Sequence, residues 1–166
     1  ARAVSGAPLL ADAKIATHKG ARALVRLPDG SRLFMRSDSR ITLGAESVVL
    51  EQGEYFVDAP PTDRKPIVHS VAGTSVTAAE TGVAIKRSGA DATIYVARGM
   101  ATVTGKGGRA EVKAGEQAVV QGDAAPAVAA LAFWDDWTGG MADFASGSGV
   151  PGAGSGTIYG VDVGAA

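Results

Sequence analysis

The stretch Ala21-Arg-Ala-Leu-Val-Arg-Leu-Pro-Asp-Gly-Ser-Arg-Leu-Phe-Met35 decides how the chain folds. Ala23, Val25 and Leu27 fall on one side of an extended backbone, and Leu33 and Met35 resume that alternation after Pro28-Asp29-Gly30. Successive side chains of a strand point to opposite faces, and Asp-Gly readily supplies a positive-φ turn, so the phrase predicts a β-hairpin. The same grammar, short alternating apolar segments punctuated by glycine, runs through residues 20–120 with almost no helical periodicity.

Working outward, strands are predicted over 21–27, 32–36, 41–43, 47–50 and 54–58, with Gly30, Gly44 and Gly53 as breaks. Ala59-Pro-Pro-Thr-Asp-Arg-Lys-Pro66 reads as a loop, because its prolines cannot donate to a sheet ladder. Pairing is expected to resume over 67–71, 75–77, 83–86, 92–97, 100–104, 110–113 and 116–120, with Gly105-Lys-Gly-Gly108 as a hairpin loop. Roughly a dozen short strands with turn signals every 8–12 residues predict an all-β fold of two packed, mainly antiparallel sheets, a sandwich or roll. A short β-solenoid is the alternative; it demands a fixed period, whereas the phrases here recur without one.

The pattern changes at Gly122. Residues 123–132 are rich in Ala, Val and Pro and read as a linker or a short helix after Pro126. Phe133-Trp-Asp-Asp-Trp-Thr-Gly-Gly-Met141 then holds both tryptophans of the chain. Ser146-Gly-Ser-Gly-Val-Pro-Gly-Ala-Gly-Ser-Gly156 has the composition of a flexible tether, and residues 157–163 alternate once more as a final strand. The expected organisation is an N-terminal arm (1–8), a β domain (9–122), an aromatic linker or lid (123–145), a Gly/Ser tether (146–156) and a C-terminal strand or tail (157–166).

At 166 residues the chain suits one domain with appendages, and its 46% hydrophobic content suffices for a core of small side chains. A net charge of −1 without a Lys/Arg block sets nucleic-acid binding aside. Absence of cysteine excludes disulfides and thiolate metal sites. No apolar run approaches the roughly 20 residues of a membrane helix. Ala1-Arg-Ala-Val-Ser-Gly6 lacks the pattern of a signal peptide, and a start without Met is expected of a chain that has been processed or trimmed.

Several phrases resemble the FecR-like domain of bacterial envelope proteins. Residues 9–17 are similar to its Leu-rich opening ending in Thr, and residues 21–33 to its Asp-Gly-Ser hairpin. Leu50-Glu-Gln-Gly-Glu-Tyr-Phe-Val57, Tyr95-Val-Ala-Arg-Gly-Met-Ala-Thr-Val103 and Val112-Lys-Ala-Gly-Glu-Gln117 resemble its later Gly-centred phrases. The resemblance covers about residues 9–120, with one departure. Where the family shows Gly-Thr-x-Phe-x-Val, this chain offers Gly73-Thr-Ser-Val-Thr or Glu80-Thr-Gly-Val-Ala-Ile, neither with the aromatic. The Trp-Asp-Asp-Trp segment with its Gly-rich extension is similar to the region joining FecR-like to VIT domains, which implies the front portion of a longer protein. The resemblance implies an all-β fold, no catalytic residues and a place in the periplasm, at the outer-membrane surface or outside the cell.

The residues themselves gather no reactive set. His18 reads as a surface turn residue and His69 as a satisfied sheet residue, with no spacing that suggests zinc. Asp135 and Asp136 diverge in any regular backbone; with Asp143 they leave only a loosely held calcium open, and otherwise no metal or cofactor is expected. No nucleophile elbow or phosphate loop is present. The expectation is a non-enzymatic scaffold or interaction module with no small-molecule substrate. Its partner would be a protein, with peripheral cell-surface contact, and the partner-binding residues would be Phe133, Trp134 and Trp137, then Ile158 and Tyr159. The aromatic cluster reads as a lid on its own sheets, an intermolecular anchor or a glycan-stacking platform. The alternative function is a self-assembling subunit, a filament or surface layer linked through the C-terminal tail and N-terminal arm.

Overall fold

A computed structural model describes residues 9, 12–61, 63–131, 137–138 and 159–160. Its strands in chain order begin with β1 (Lys14–Ala16), β2 (Ala23–Arg26), β3 (Arg32–Met35), β4 (Arg40–Leu43) and β5 (Ser47–Ala59). They continue with β6 (Val68–Val71), β7 (Thr74–Ala78), β8 (Thr81–Ser88), β9 (Asp91–Arg98) and β10 (Met100–Gly105). The remainder are β11 (Gly108–Lys113), β12 (Glu116–Val120), β13 (Ala127–Ala130) and the two-residue β14 (Tyr159–Gly160).

The hairpin of residues 21–35 forms as its alternation implies. Ala23 lies opposite Met35 and Val25 opposite Leu33, all four buried on one face. Gly30 takes φ +90 and donates its N–H to the Leu27 carbonyl at 3.0 Å. The Asp29 carboxylate accepts both the backbone N–H and the hydroxyl of Ser31, each at 2.8 Å, which satisfies a side chain the turn buries.

One strand organises the rest. The first part of β5, Ser47 to Leu50, pairs antiparallel with β4 and parallel with β6; from Gly53 onward it pairs with β3 and β8 instead. Two wings therefore share it. The first runs β1-β4-β5-β6-β7-β10-β11, and the second β14-β2-β3-β5-β8-β9-β12-β13. Their inner faces enclose a single core that includes Leu33, Met35, Tyr55, Ile85, Ile94 and Val103. The all-β expectation holds, but not as two separate sheets. The wings form one continuous hydrogen-bonded sheet, curled nearly into a barrel, with β11 returning against β12 and β9. A solenoid stacks parallel coils, whereas all but two ladders among the described residues are antiparallel.

Two local readings change. Gly53 does not end a strand; it is the bend, at φ +89, where β5 leaves one wing for the other. The stretch read as a linker or short helix forms β13 beside β12, with Val128 opposite Ala118. Alanine and valine serve a ladder as well as a helix once a neighbouring strand offers the pairing.

The departing family phrase lies on β7. Thr74, Val76 and Ala78 point inward, so Val76 takes the inward place the family pattern gives to Phe. Directly opposite is His69, whose ring packs 5.5 Å from that of Tyr55, and these two aromatics supply bulk there. Ala72 and Gly73, at φ +48 and +79, join β6 to β7 in the turn geometry that requires positive φ at both central positions. Ala72 carries a Cβ penalty there that glycine lacks. Ala72→Gly is therefore expected to stabilise the protein by about 1 kcal/mol, raising the thermal midpoint by about 2–4 °C in a melting scan.

Candidate functional site

The second wing is apolar on both faces, and the reason lies in five short phrases. Arg22-Ala-Leu-Val-Arg26, Arg32-Leu-Phe-Met-Arg36, Glu54-Tyr-Phe-Val-Asp58, Gly82-Val-Ala-Ile-Lys86 and Thr93-Ile-Tyr-Val-Ala97 each hold three consecutive apolar residues. The outer two of each triplet face the core, so the middle one must face away. The register then aligns the middle residues across five strands: Leu24 opposite Phe34, Phe34 opposite Phe56, Phe56 opposite Ala84, and Ala84 opposite Tyr95. The result is an outward apolar stripe perpendicular to the strands. By contrast, the outer face of the first wing carries Thr42, Ser70, Ser75, Thr77, Thr102 and Thr104.

Charged rows run along both sides of the stripe. On one side Arg36 and Glu54 are paired, Arg36 Nη1 donating to Glu54 Oε1 at 2.9 Å, and Lys86 stands opposite Glu54. On the other, Arg26 lies opposite Arg32 and the Asp58 carboxylate accepts from Arg32 Nη2 at 2.8 Å and Arg98 Nη2 at 2.7 Å. A shallow cleft of about 480 Å³ at this side is lined by Arg26, Arg32 and Arg64, whose guanidinium donates to the Pro28 carbonyl.

Phe34 and Phe56 nevertheless have 1% and 0% exposure, because the chain covers its own stripe. Trp137, 4% exposed, joins Phe34, Phe56 and Ala84 in a second apolar cluster outside the main core. Its Nε1–H donates to Glu54 Oε2 at 3.2 Å, and the Arg36 guanidinium lies 5.8 Å from the centre of its ring. Glu54 thus holds Arg36 with one oxygen and the indole with the other, while Arg36 adds a cation–π contact. Elsewhere on this wing, β14 runs parallel to β2, with Tyr159 opposite Ala23 and Gly160 opposite Leu24.

Of the residues singled out from sequence, Trp137 sits on its own β body and Tyr159 lies in β14 at the edge of the same wing. Phe133, Trp134 and Ile158 lie outside the described residues, as do Asp135, Asp136 and Asp143. Sequence reasoning missed Leu24, Phe34, Phe56, Ala84 and Tyr95, because alternation alone assigns one apolar face per strand. The recurring apolar triplet was the available signal.

The two buried aromatics of the core have a different character. Tyr55 Oη and His69 Nδ1 are 2.5 Å apart, both residues sealed from solvent. Burial lowers the His69 pKa to about 4, with the Asp29 charge acting weakly the other way, and burial raises that of Tyr55. The hydroxyl therefore donates to a neutral imidazole. Among the described residues no group of three or more His, Asp or Glu side chains converges to hold a metal ion.

Comparison with known proteins bears on the fold and the family. Residues 13–102 match the family model described as FecR protein. Two crystal structures of a "putative anti-sigma factor" from Parabacteroides distasonis ATCC 8503 superpose with a TM-score of 0.63 at 17% identity. Each match covers 71% of this chain and 59% of that chain, and at this identity the likeness speaks to the fold alone. No curated protein matches the sequence.

Proposed function

The chain belongs to the FecR family, and on that premise we propose that it is a protein-interaction module of the bacterial envelope that works by binding and not by catalysis. Its place would be the periplasm, the outer-membrane surface or the cell exterior. The contact region would be the outer face of the second wing, with Phe133, Trp134, Trp137, Ile158 and Tyr159 as the partner-binding residues.

One observation carries this reading: an apolar stripe outside the core, covered by a residue from far along the chain. Peptide segments bind sheets in two ways, by adding a strand to an edge and by seating side chains on a face. This chain uses both on itself, with β14 against β2 and Trp137 on the stripe. A core-facing surface would need neither. The polar outer face of the first wing has no such occupant among the described residues.

A photo-crosslinking amino acid introduced in the producing bacterium tests the reading. Placed at Ala97, beside the stripe, it is expected to yield an adduct with another protein. Placed at Thr77, on the outer face of the first wing, it is expected to yield none. Adducts from both positions alike, or from neither, would remove the support for an interaction face here.

A further inference from the structure

Among the described residues β1, β11 and β13 each have a hydrogen-bonded neighbour on one side only. An unpaired edge is a template for another strand, and proteins commonly guard it by keeping it short or charged. β1 has three residues and starts at Lys14, and β11 carries Arg109, Glu111 and Lys113. β13, Ala127-Val-Ala-Ala130, carries no charge, and all four of its residues are exposed. Val128 keeps 38% exposure although it shares the inward side with Ala118, which is fully buried.

The ladder fixes which groups the open edge presents. Leu131 donates its N–H to the Gly115 carbonyl at 2.9 Å, and in an antiparallel pair bonded and non-bonded positions alternate. Ala127 and Ala129 therefore bond to β12, while the N–H and C=O groups of Val128 and Ala130 point to the open side. Pro126, next in that series, has no N–H and ends the usable edge. We propose that β13 receives β13 of a second copy of this chain, antiparallel about a two-fold axis at Ala129, so that one sheet runs through both copies. Val128 of each copy then exchanges main-chain hydrogen bonds with Ala130 of the other, and Ala129 faces Ala129. This register is self-complementary, satisfies every group the edge offers from Val128 to Ala130, and opposes no charge to a like charge. The outward row of Leu24, Phe34, Phe56, Ala84 and Tyr95 continues through Gln117 to Ala129, so the axis joins the rows of the two copies end to end. Pairing at this edge adds a partner beyond the contact region on the outer face and does not depend on it.

The chain has no cysteine, so single introduced cysteines report the register. Opposed residues at a non-bonded position stand about 4.5 Å apart at Cα, within disulfide range. Ala127 lies on the same face, but its two copies would be about 14 Å apart. The full chain carrying Ala129→Cys is expected to form a disulfide-linked dimer under mild oxidation at least about tenfold faster than the Ala127→Cys chain. Without any substitution, sedimentation is expected to shift reversibly from monomer towards dimer between about 1 and 300 µM, because a short edge buries little area. Ala129→Lys sets two ammonium groups against each other and should weaken that association about tenfold, less so at high salt. Equal crosslinking from the two cysteine positions, or none from either, would overturn the proposal. So would a wild-type chain that stays monomeric over the whole range, the result expected if the edge serves a different protein instead. Association that Ala129→Lys leaves unchanged would overturn it as well. Crosslinking from Ala97 reads adducts with other proteins, so each reading fails or stands by its own result.

Discussion

Gly53→Ala is expected to lower stability by about 4 kcal/mol, a large share of the roughly 5–15 kcal/mol that holds a domain together. The residue sits at φ +89, where a Cβ costs about 1–2 kcal/mol by itself. That Cβ would also stand 2.7 Å from Ser39 Cα and 2.2 Å from Ser39 Oγ. Because one of these atoms is backbone, no rotamer change relieves the clash. Ser39 cannot yield cheaply either. Its hydroxyl is bonded to the Glu54 N–H and carbonyl, both at 3.1 Å, and its N–H donates to Thr17 Oγ1 at 3.0 Å. Displacing it strips buried polar groups of partners at about 1–3 kcal/mol each.

The same substitution should reach the surface site, since the next residue, Glu54, holds both Arg36 and Trp137. Gly115→Ala is the control. It has a similar φ of +85 but nothing within 4 Å of the added Cβ, so it should cost only the backbone term. Urea denaturation of the two variants distinguishes the contributions. If Gly53→Ala costs no more than Gly115→Ala, the close approach of Ser39 is not what makes glycine necessary at the bend.

Acid should weaken the protein through His69 well before most carboxylates are protonated. An imidazole whose folded pKa is lowered to about 4 from its ordinary 6.5 takes up its proton in the unfolded chain first. Stability contributed by the neutral form is therefore complete above 6.5, falls as pH drops from 6.5 to 4, and changes no further below that. The loss over this window is on the order of 3 kcal/mol. Protonation also puts a donor at Nδ1 where Tyr55 Oη already donates, 2.5 Å away, so the buried hydrogen bond must break or turn.

The informative comparison is with the double variant Tyr55→Phe/His69→Phe. It removes both polar partners and so leaves neither buried and unpaired, and although phenylalanine is larger than histidine, the packing cost of that extra volume does not depend on pH. Denaturation midpoints from pH 7 to 4 should fall less steeply in the double variant than in the wild type. Equal slopes would mean that His69 does not carry the acid sensitivity.

What the amino-acid order determined by itself is local. Alternation around Pro28-Asp29-Gly30 is enough to define a hairpin and its inward residues, because neighbouring side chains of a strand have no choice but opposite faces. The successive strands through residue 120, and the family phrases built on them, were legible for the same reason. So was the outward stripe, in principle, through apolar triplets such as Leu33-Phe34-Met35 and Tyr55-Phe56-Val57.

Tertiary structure alone decided the rest. Gly53 reads as a break until Ser39 is seen packed against it, and only then is β5 one strand serving two wings. Ala127 to Ala130 could enter a helix or a ladder, and the open edge of β12 settles the matter. Glu54 and Trp137 are separated by 83 residues, yet one hydrogen bond joins them on a face that no local pattern connects to the tail. Contacts between distant residues depend on how the whole sheet curls and which surfaces it leaves uncovered, and no short window of sequence contains that information.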